Sequence, residues 1–245
     1  MTTLVAGSTA LAGRFVTALG HGDPDDCVRL YEKGTRLLVA DVDADPTLDG
    51  VRAALLQHSV KVVIDANDPF LDGVSPALEA AARDLDIPHR RVAPPSFEDH
   101  PGARRWHWVD TLHEAIEATW GAAAAPVVAL TPMELCASLG SNDGRGAVAH
   151  RRATPVDQPF PAWLREPTRP VRTTTEAVAF MEHESATALL VNDSGDPRVR
   201  PLLYASRLTG AEVVMLRRPP RWRVPEADTT GKAVVATLRW RASVL

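Results

Sequence analysis

The chain has 245 residues, 45% hydrophobic and 24% charged, enough for one large α/β domain or two small ones around a sizeable core. Its 27 basic and 31 acidic residues leave a formal charge of −4, which gives no basic field of the kind nucleic-acid binding needs. Cys27 and Cys136 stand far apart without CxxC company, which excludes a disulfide framework and argues against a cysteine-based metal site, and no stretch approaches the ~20 apolar residues that cross a bilayer.

Short apolar runs alternate with amphipathic segments along the chain, the pattern of a parallel sheet flanked by helices. Leu4-Val5-Ala6 reads as the first strand and Gly7-Ser8-Thr9 as the turn into a helix around residues 10–19. The N-terminus lacks a charged region followed by a long apolar one, so the expectation is a cytoplasmic protein without a secretory leader or membrane anchor. Residues 27–31 and 37–39 are short strand candidates. Asp45-Pro46 is then expected to cap a helix carrying Leu48, Val51 and Leu55 on one face. Lys61-Val62-Val63-Ile64-Asp65 is the clearest strand. The polar turn Ala66-Asn67-Asp68-Pro69 follows it, and then a helix with Leu78, Ala81, Ala82 and Leu85. The stretch from Val92 to Gly102 is rich in turn formers and marks a domain junction, giving domains 1–95 and 96–245.

The second half restarts the pattern. Residues 105–109 read as a strand, and Thr111-Leu112-His113-Glu114 has the form of a capping box. A buried strand at 127–130 ends in Thr131-Pro132, and 147–153 is a further strand candidate. The proline-rich stretch 155–170 is expected to be irregular. Thr175 is expected to cap a helix through His183, followed by a strand at 188–191 and the loop Asn192-Asp193-Ser194-Gly195-Asp196-Pro197. A helix around 202–208, a strand at 212–216 and the break Arg217-Arg218-Pro219-Pro220 come next. Asp228 then stands before a terminal helix. The predicted architecture is two Rossmann-like α/β domains built on parallel sheets, with a cleft between them.

In open parallel sheets ligands bind beyond the carboxyl ends of the strands. That rule selects Gly7-Ser8-Thr9, Asp65 to Asp68, Thr131-Pro132 and Asn192 to Gly195. Gly7-Ser8-Thr9 does not fit GxGxxG, and it reads equally as a phosphate turn or a plain strand-to-helix turn. No acid stands at the end of the second strand to grip a ribose. Arg29, Lys33 and Arg36 lie nearby instead and suit a 2′-phosphate, or form a solvated basic edge. Asp65 reads more readily as an acid satisfied within its turn than as a ligand contact, with Asn67 and Asp68 the more exposed site candidates. The eight histidines are scattered without metal spacing, and neither GxSxG nor a P-loop occurs.

Taken in order, these segments resemble the precorrin-6A reductase family. The matching stretches are Ala6-Gly7-Ser8-Thr9, Val62 through Phe70, Val92-Ala93-Pro94-Pro95, Leu190 through Gly195, and Val213 through Pro220. Compared with the family's pattern, Leu11 replaces an acid, Asn67-Asp68 replaces Thr-His, and Thr131-Pro132 stands where a Thr-Thr-Gly turn would. Likewise Asn192-Asp193 replaces Lys-Asn, Asp196 a second glycine, and Leu202 a lysine. Arg198, Arg200, Arg217 and Arg218 are the cations near enough in sequence to compensate. The resemblance implies an NADPH-dependent reductase that transfers hydride to a conjugated tetrapyrrole or a related imine or enone, the cofactor lying in the cleft. It implies cofactor contacts at Gly7, Ser8, Thr9, Asn67, Thr131, Asn192, Ser194 and Gly195, with Asp68 and Asp193 as proton donor or orienter. The altered polar positions also fit a non-catalytic homologue that binds a nucleotide or tetrapyrrole.

Overall fold

The computed structural model describes residues 2–6, 27–33, 36–39, 42–44, 47–70, 74–122, 127–129, 147–149, 164–165 and 171–220. They gather into two compact units, one holding Met1–Pro95 together with the chain from Pro220 and one within Ser96–Pro219, so the chain passes between the units twice. Residues 221–245, which the sequence reading gives to the second domain together with a terminal helix, lie outside the described residues. So do the helix expected at 10–19 and most of the proline-rich stretch.

The first unit is built on a six-stranded sheet. Its strands are β1 (Thr2–Ala6), β2 (Cys27–Lys33), β3 (Arg36–Val39), β4 (Val42–Ala44), β5 (Val60–Asp65) and β6 (His89–Arg91), in the spatial order β4-β3-β2-β1-β5-β6. β2, β1, β5 and β6 run parallel, whereas β3 and β4 are antiparallel additions at one edge. The expected parallel sheet is therefore mixed here, because links of only a few residues can join antiparallel neighbours alone. β5 is buried on both faces except at Lys61, which explains its near-continuous apolar sequence.

Two helices complete this unit among the described residues, α1 (Leu48–Gln57) and α2 (Val74–Asp84). Asp45 and Pro46 lie outside the described residues, and α1 takes its cap from Thr47, whose hydroxyl accepts the Gly50 N–H at 3.2 Å. Val51 and Leu55 enter the core with Leu4, Ala6, Val63, Leu78, Ala81 and Ala82, while Leu48, in the first turn, stays exposed. Arg52 on α1 pairs with Asp84 on α2.

The second unit carries an all-parallel sheet. β7 (His107–Val109), β8 (Val127–Ala129), β9 (Ala147–Ala149), β10 (Leu164–Arg165), β11 (Ala188–Asn192) and β12 (Glu212–Leu216) lie in the order β10-β9-β8-β11-β12-β7. β7 is shorter than expected because Ala103–Arg105 turns once as a helix ahead of it. Three helices are described, α3 (Leu112–Ala122), α4 (Thr174–His183) and α5 (Arg200–Thr209). Thr111 and Glu114 form the expected capping box on α3. For α4 the cap is Thr173 rather than Thr175: Glu176, three residues after Thr173, returns a bond to its backbone N–H, whereas Thr175 has only Val178 at that spacing. Phe97, Phe180, Met181, Leu189, Val191, Leu202, Leu203, Val213 and Met215 form the core.

Candidate functional site

In each sheet the strand order reverses once. β1 leads outward to β2 and its neighbour β5 leads the other way to β6; β8 leads to β9 and its neighbour β11 to β12. Diverging connections at such a switch point leave a crevice at the carboxyl edge, where ligands of parallel sheets bind. The four polar segments selected from the sequence are those that follow β1, β5, β8 and β11, so they fall two to each reversal. Gly7, Ser8, Thr9 and Thr131 lie outside the described residues. The strands that lead to them end beside Asp65 and Val191 respectively: Ala6 is in register with Asp65, and Ala129 with Val191.

At the first reversal β5 delivers Asp65 into a fully buried position. Its Oδ1 accepts the Asn67 backbone N–H at 3.2 Å and the Asn67 side-chain Nδ2 at 2.9 Å. The same Nδ2 also reaches Ser75 Oγ on α2 at 3.3 Å, so both amide hydrogens of Asn67 have acceptors. Asp68 Oδ1 accepts the Phe70 N–H at 2.9 Å, closing the turn over Pro69. Asn67 and Asp68 are 2% and 8% exposed against 0% for Asp65, so the expected order holds although all three are buried. The turn folds inward because β5 ends inside the sheet, and three polar residues there satisfy one another.

The other oxygen of Asp65 has a different setting. Oδ2 makes no hydrogen bond and faces Arg91 Nε at 3.6 Å and His89 Nε2 at 3.9 Å on the adjacent strand β6. Arg91 also pairs with Glu79 on α2. Burial pushes the Asp65 carboxyl above its usual range; hydrogen bonding from Ser75 and the Asn67 backbone, then the charges of His89 and Arg91, pull the other way. Burial likewise holds His89 below its usual value, against the pull of Asp65.

At the second reversal β11 ends at Asn192, and Asp193 through Gly195 form a buried turn. Ser194 donates its backbone N–H to Asn192 O at 2.7 Å, and its hydroxyl accepts the Asp196 N–H at 3.3 Å. Gly195 has φ of +71°, a conformation that side chains with a Cβ adopt at a cost. Small residues and a left-handed glycine let backbone amides approach an anionic group closely.

Asp193 itself, 2% exposed, is a hub. Its Oδ1 accepts the Phe97 N–H at 2.7 Å and Arg218 Nη2 at 3.3 Å. Its Oδ2 accepts the Ser96 hydroxyl at 2.7 Å and Arg218 Nε at 2.9 Å. Arg218, 5% exposed, also donates Nε to the Asp193 carbonyl at 3.0 Å. Ser75, Ser96, His89 and Arg91 escaped the sequence reading. Ser96 lies 97 residues from its partner and Ser75 eight to ten from its own, so no local pattern announces either.

Three of the four arginines expected as compensating cations are engaged within the unit. Arg198 forks onto Asp196, Arg217 pairs with Glu98 and Asp110 while lying 4.8 Å from the Trp108 ring, and Arg218 holds Asp193. Leu202, where the family pattern has a lysine, is fully buried in the core. A groove of about 390 Å³ between α4 and α5, lined by Thr174, Thr175, Val178, Ala179, Glu182 and Leu208, involves none of the strand-end turns. Among the described residues no helix is long and apolar enough to cross a membrane.

Comparison with known proteins agrees with this architecture. Residues 40–240 match the profile of the family described as Precorrin-6x reductase CbiJ/CobK. Over 204 residues the chain is 26% identical to a protein of Rhodococcus erythropolis named Precorrin-6A reductase, covering 78% of this chain and 75% of that one. A solved structure titled CobK precorrin-6A reductase superposes with a TM-score of 0.69 at 20% identity, covering 100% of this chain and 98% of the other, a likeness of fold. With most of its length inside the family profile, the chain belongs to the precorrin-6x reductase CbiJ/CobK family, reductases of cobalamin biosynthesis.

Proposed function

We propose that this chain is an NADPH-dependent reductase acting in the cytoplasm on a conjugated tetrapyrrole, with the dinucleotide held at the strand-end turns. The observation that carries the reading is the pairing of polar, small-residue turns at a topological switch point in each sheet. The residues fit the group. Gly195 in a left-handed conformation and the small, buried Ser194 leave the Asn192–Gly195 turn without bulk beside a ligand. In the second unit Asn192, Ser194 and Gly195 would contact the dinucleotide; in the first unit Asn67 is the candidate contact among the described residues, and Gly7, Ser8, Thr9 and Thr131 remain candidates from the sequence.

NADPH over NADH is favoured by the hairpin at β2. Its register pairs Lys33 with Arg36, and β2 runs three residues beyond Leu30, the partner of the last residue of β1. Two cationic positions thus stand past the carboxyl end of β1, where a 2′-phosphate is read in sheets of this kind.

When bound, NADPH supplies the hydride, and the protein's part is to orient, exclude water and manage a proton. Asp68 sits at the turn after β5 with Oδ1 committed to the Phe70 N–H, a geometry that fixes the carboxyl near the crevice. We assign it the proton-handling role and Asp193 the role of orienter. Asp193 meets Arg218 and Phe97 N–H groups, which can only donate, so its oxygens serve as acceptors there.

Calorimetric titration of the purified protein with NADPH and NADH tests the cofactor. Each charge-assisted contact to the 2′-phosphate contributes roughly 1.5–3 kcal/mol, so Lys33→Ala or Arg36→Ala should weaken NADPH binding roughly 10- to 100-fold and leave NADH unchanged. Failure of the parent protein to bind either dinucleotide would overturn the reading and favour a non-redox use of the scaffold. Asp68→Asn should then lower the single-turnover reduction rate without altering NADPH affinity; an unchanged rate removes Asp68 from the chemistry.

A further inference from the structure

The contacts of Asp193 have a positional logic that its place in the loop alone does not explain. The second unit begins at Ser96 and ends at Pro219. Ser96 and Phe97 are thus the first residues of the unit, and Arg218 is the next to last. All three donate to the one carboxylate of Asp193, at 2.7, 2.7 and 2.9 Å for the shortest bond of each. Both chain connections are therefore fastened at a single buried point, at the carboxyl end of β11 and next to Ser194 and Gly195.

The neighbourhood reinforces the fastening. Phe97 is fully buried in the core, which anchors the incoming segment one residue past Ser96. The outgoing segment is held on both sides of the bend: Arg217 donates its N–H to Val109 O and its guanidinium to Glu98, and Asp193 donates its own N–H to Leu216 O. Beyond each fastened segment stand two prolines, Pro94-Pro95 before Ser96 and Pro219-Pro220 after Arg218. Proline fixes φ, so each connection leaves its anchor as a stiff rather than a free segment.

We propose that Asp193 is a positioning residue that locks the directions of both inter-unit connections to the Asn192–Gly195 turn. It couples ligand binding at that turn to the order of the connections. The coupling to ligand rests on the proposed dinucleotide site; the lock itself does not. A ligand seated against Ser194 and Gly195 tightens the lock, and loosening the lock weakens that ligand.

Hydrogen exchange read by mass spectrometry on the full chain tests this, using Asp193→Asn, Arg218→Ala and Arg218→Lys, with Val213→Ala as a core control of reduced global stability. Asp193→Asn should speed exchange together, tenfold or more, in the three segments around Ser96–Glu98, Asp193–Asp196 and Arg217, with Leu189–Val191 unchanged. Lysine at 218 keeps the charge without the fork and should restore part of the protection that Arg218→Ala loses. NADPH should slow exchange in the same three segments of the parent protein and do so less in Asp193→Asn. The lock is refuted if Asp193→Asn leaves the three segments at parental rates, or accelerates them only in step with the core as Val213→Ala does. Should NADPH protect nothing while the three segments still respond as one, the cofactor reading fails and the lock stands.

Discussion

Asp65→Asn is the substitution whose consequence follows most closely from the geometry. One carboxylate oxygen accepts two hydrogen bonds from Asn67, and the other faces Arg91 and His89. An asparagine side chain has one acceptor and one donor group, and this site presents donors on both sides. If the new amide nitrogen turns toward Asn67, it meets the backbone N–H and Nδ2 there. If it turns outward, a neutral His89 can accept from it but the Arg91 guanidinium cannot. Turned inward, the amide forfeits the hydrogen bonds from Asn67 at a cost of about 1–3 kcal/mol; turned outward, it keeps them, and in both cases Arg91 loses its interior counter-charge. Burial is the largest influence on the Asp65 carboxyl and disfavours its ionised form, so the neutral replacement recovers part of that loss. The net expectation is a destabilisation of about 2 kcal/mol at pH 7, or a Tm lower by about 4–8 °C.

Thermal unfolding followed by circular dichroism, with calorimetry to detect separate transitions of the two units, measures it. The companion variant is Ser75→Ala, which removes the second acceptor of Asn67. Because both substitutions act through one amide group, their effects should fall short of additive by at least about 0.5 kcal/mol. The turn bearing Asn67 borders the crevice, so Asp65→Asn should also weaken NADPH binding roughly tenfold, the worth of about one hydrogen bond. A Tm within about 1 °C of the parent, or a strictly additive double variant, would refute the idea that Asp65 and Ser75 jointly hold Asn67.

Two further outcomes follow from single observations. Asp86 and Ser185 end helix-to-strand connections with φ of +53° and +51°, and each precedes an N–H that reaches back to close the helix end, Ile87 to Ala82 O and Ala186 to Met181 O. Glycine there relieves left-handed strain at some cost in chain entropy, so Asp86→Gly and Ser185→Gly should each raise stability by about 0.5 kcal/mol and add when combined, and a fall in Tm for either would contradict the assignment. His89 is held below its ordinary 6.5 chiefly by burial. Below that pH the unfolded chain takes the proton first, so the His89 contribution is fully present above pH 6.5 and is lost as pH falls through it. His100 is shifted the same way, whereas Asp65, raised above its ordinary 3.8, adds stability toward acid. Between pH 7.5 and 5.5 the parent should therefore lose more Tm than His89→Gln does; equal losses would show that His89 is not buried as the neutral form.

Much of the fold was legible because parallel strands buried on both faces write themselves as apolar runs. The segments 61–65, 188–191 and 212–216 are all found as strands within one residue at either end. Capping chemistry was legible where both members of the box are local, as at Thr111 and Glu114. It misled at Thr175, where three consecutive threonines compete and only Thr173 has the glutamate at the right spacing. The antiparallel edge at β3 and β4 could not be read, because a short, weakly patterned strand does not declare its direction. For the strand-end turns, placement was legible and burial was not. The rule that ligands gather beyond strand ends selected the turns, but whether Asn67 and Asp68 project outward depends on Ser75, and how Asp193 is held depends on Ser96 and Arg218, partners invisible to a local reading.

The two units solve the same problem at their switch points with opposite electrostatics. In each, an acid at or just beyond the end of the strand that leads away from the reversal organises the polar turn: Asp65 after β5, Asp193 after β11. Asp193 has donors on both oxygens, three of its four bonds coming from N–H groups, and an arginine as counter-ion; Asp65 has donors on one oxygen only and shares its other side with a histidine and an arginine beyond hydrogen-bond reach. A carboxylate saturated with donors is a fixed mechanical element, because moving it breaks several charge-assisted bonds at once. One satisfied on a single side can adjust its protonation or its neighbours with fewer losses. Rigidity therefore resides at the second reversal and electrostatic adaptability at the first. On the proposed reading of the chain as a reductase, a donor-saturated Asp193 suits an orienting role, and a turn whose leading acid is satisfied on one side only suits the proton-handling role proposed for Asp68.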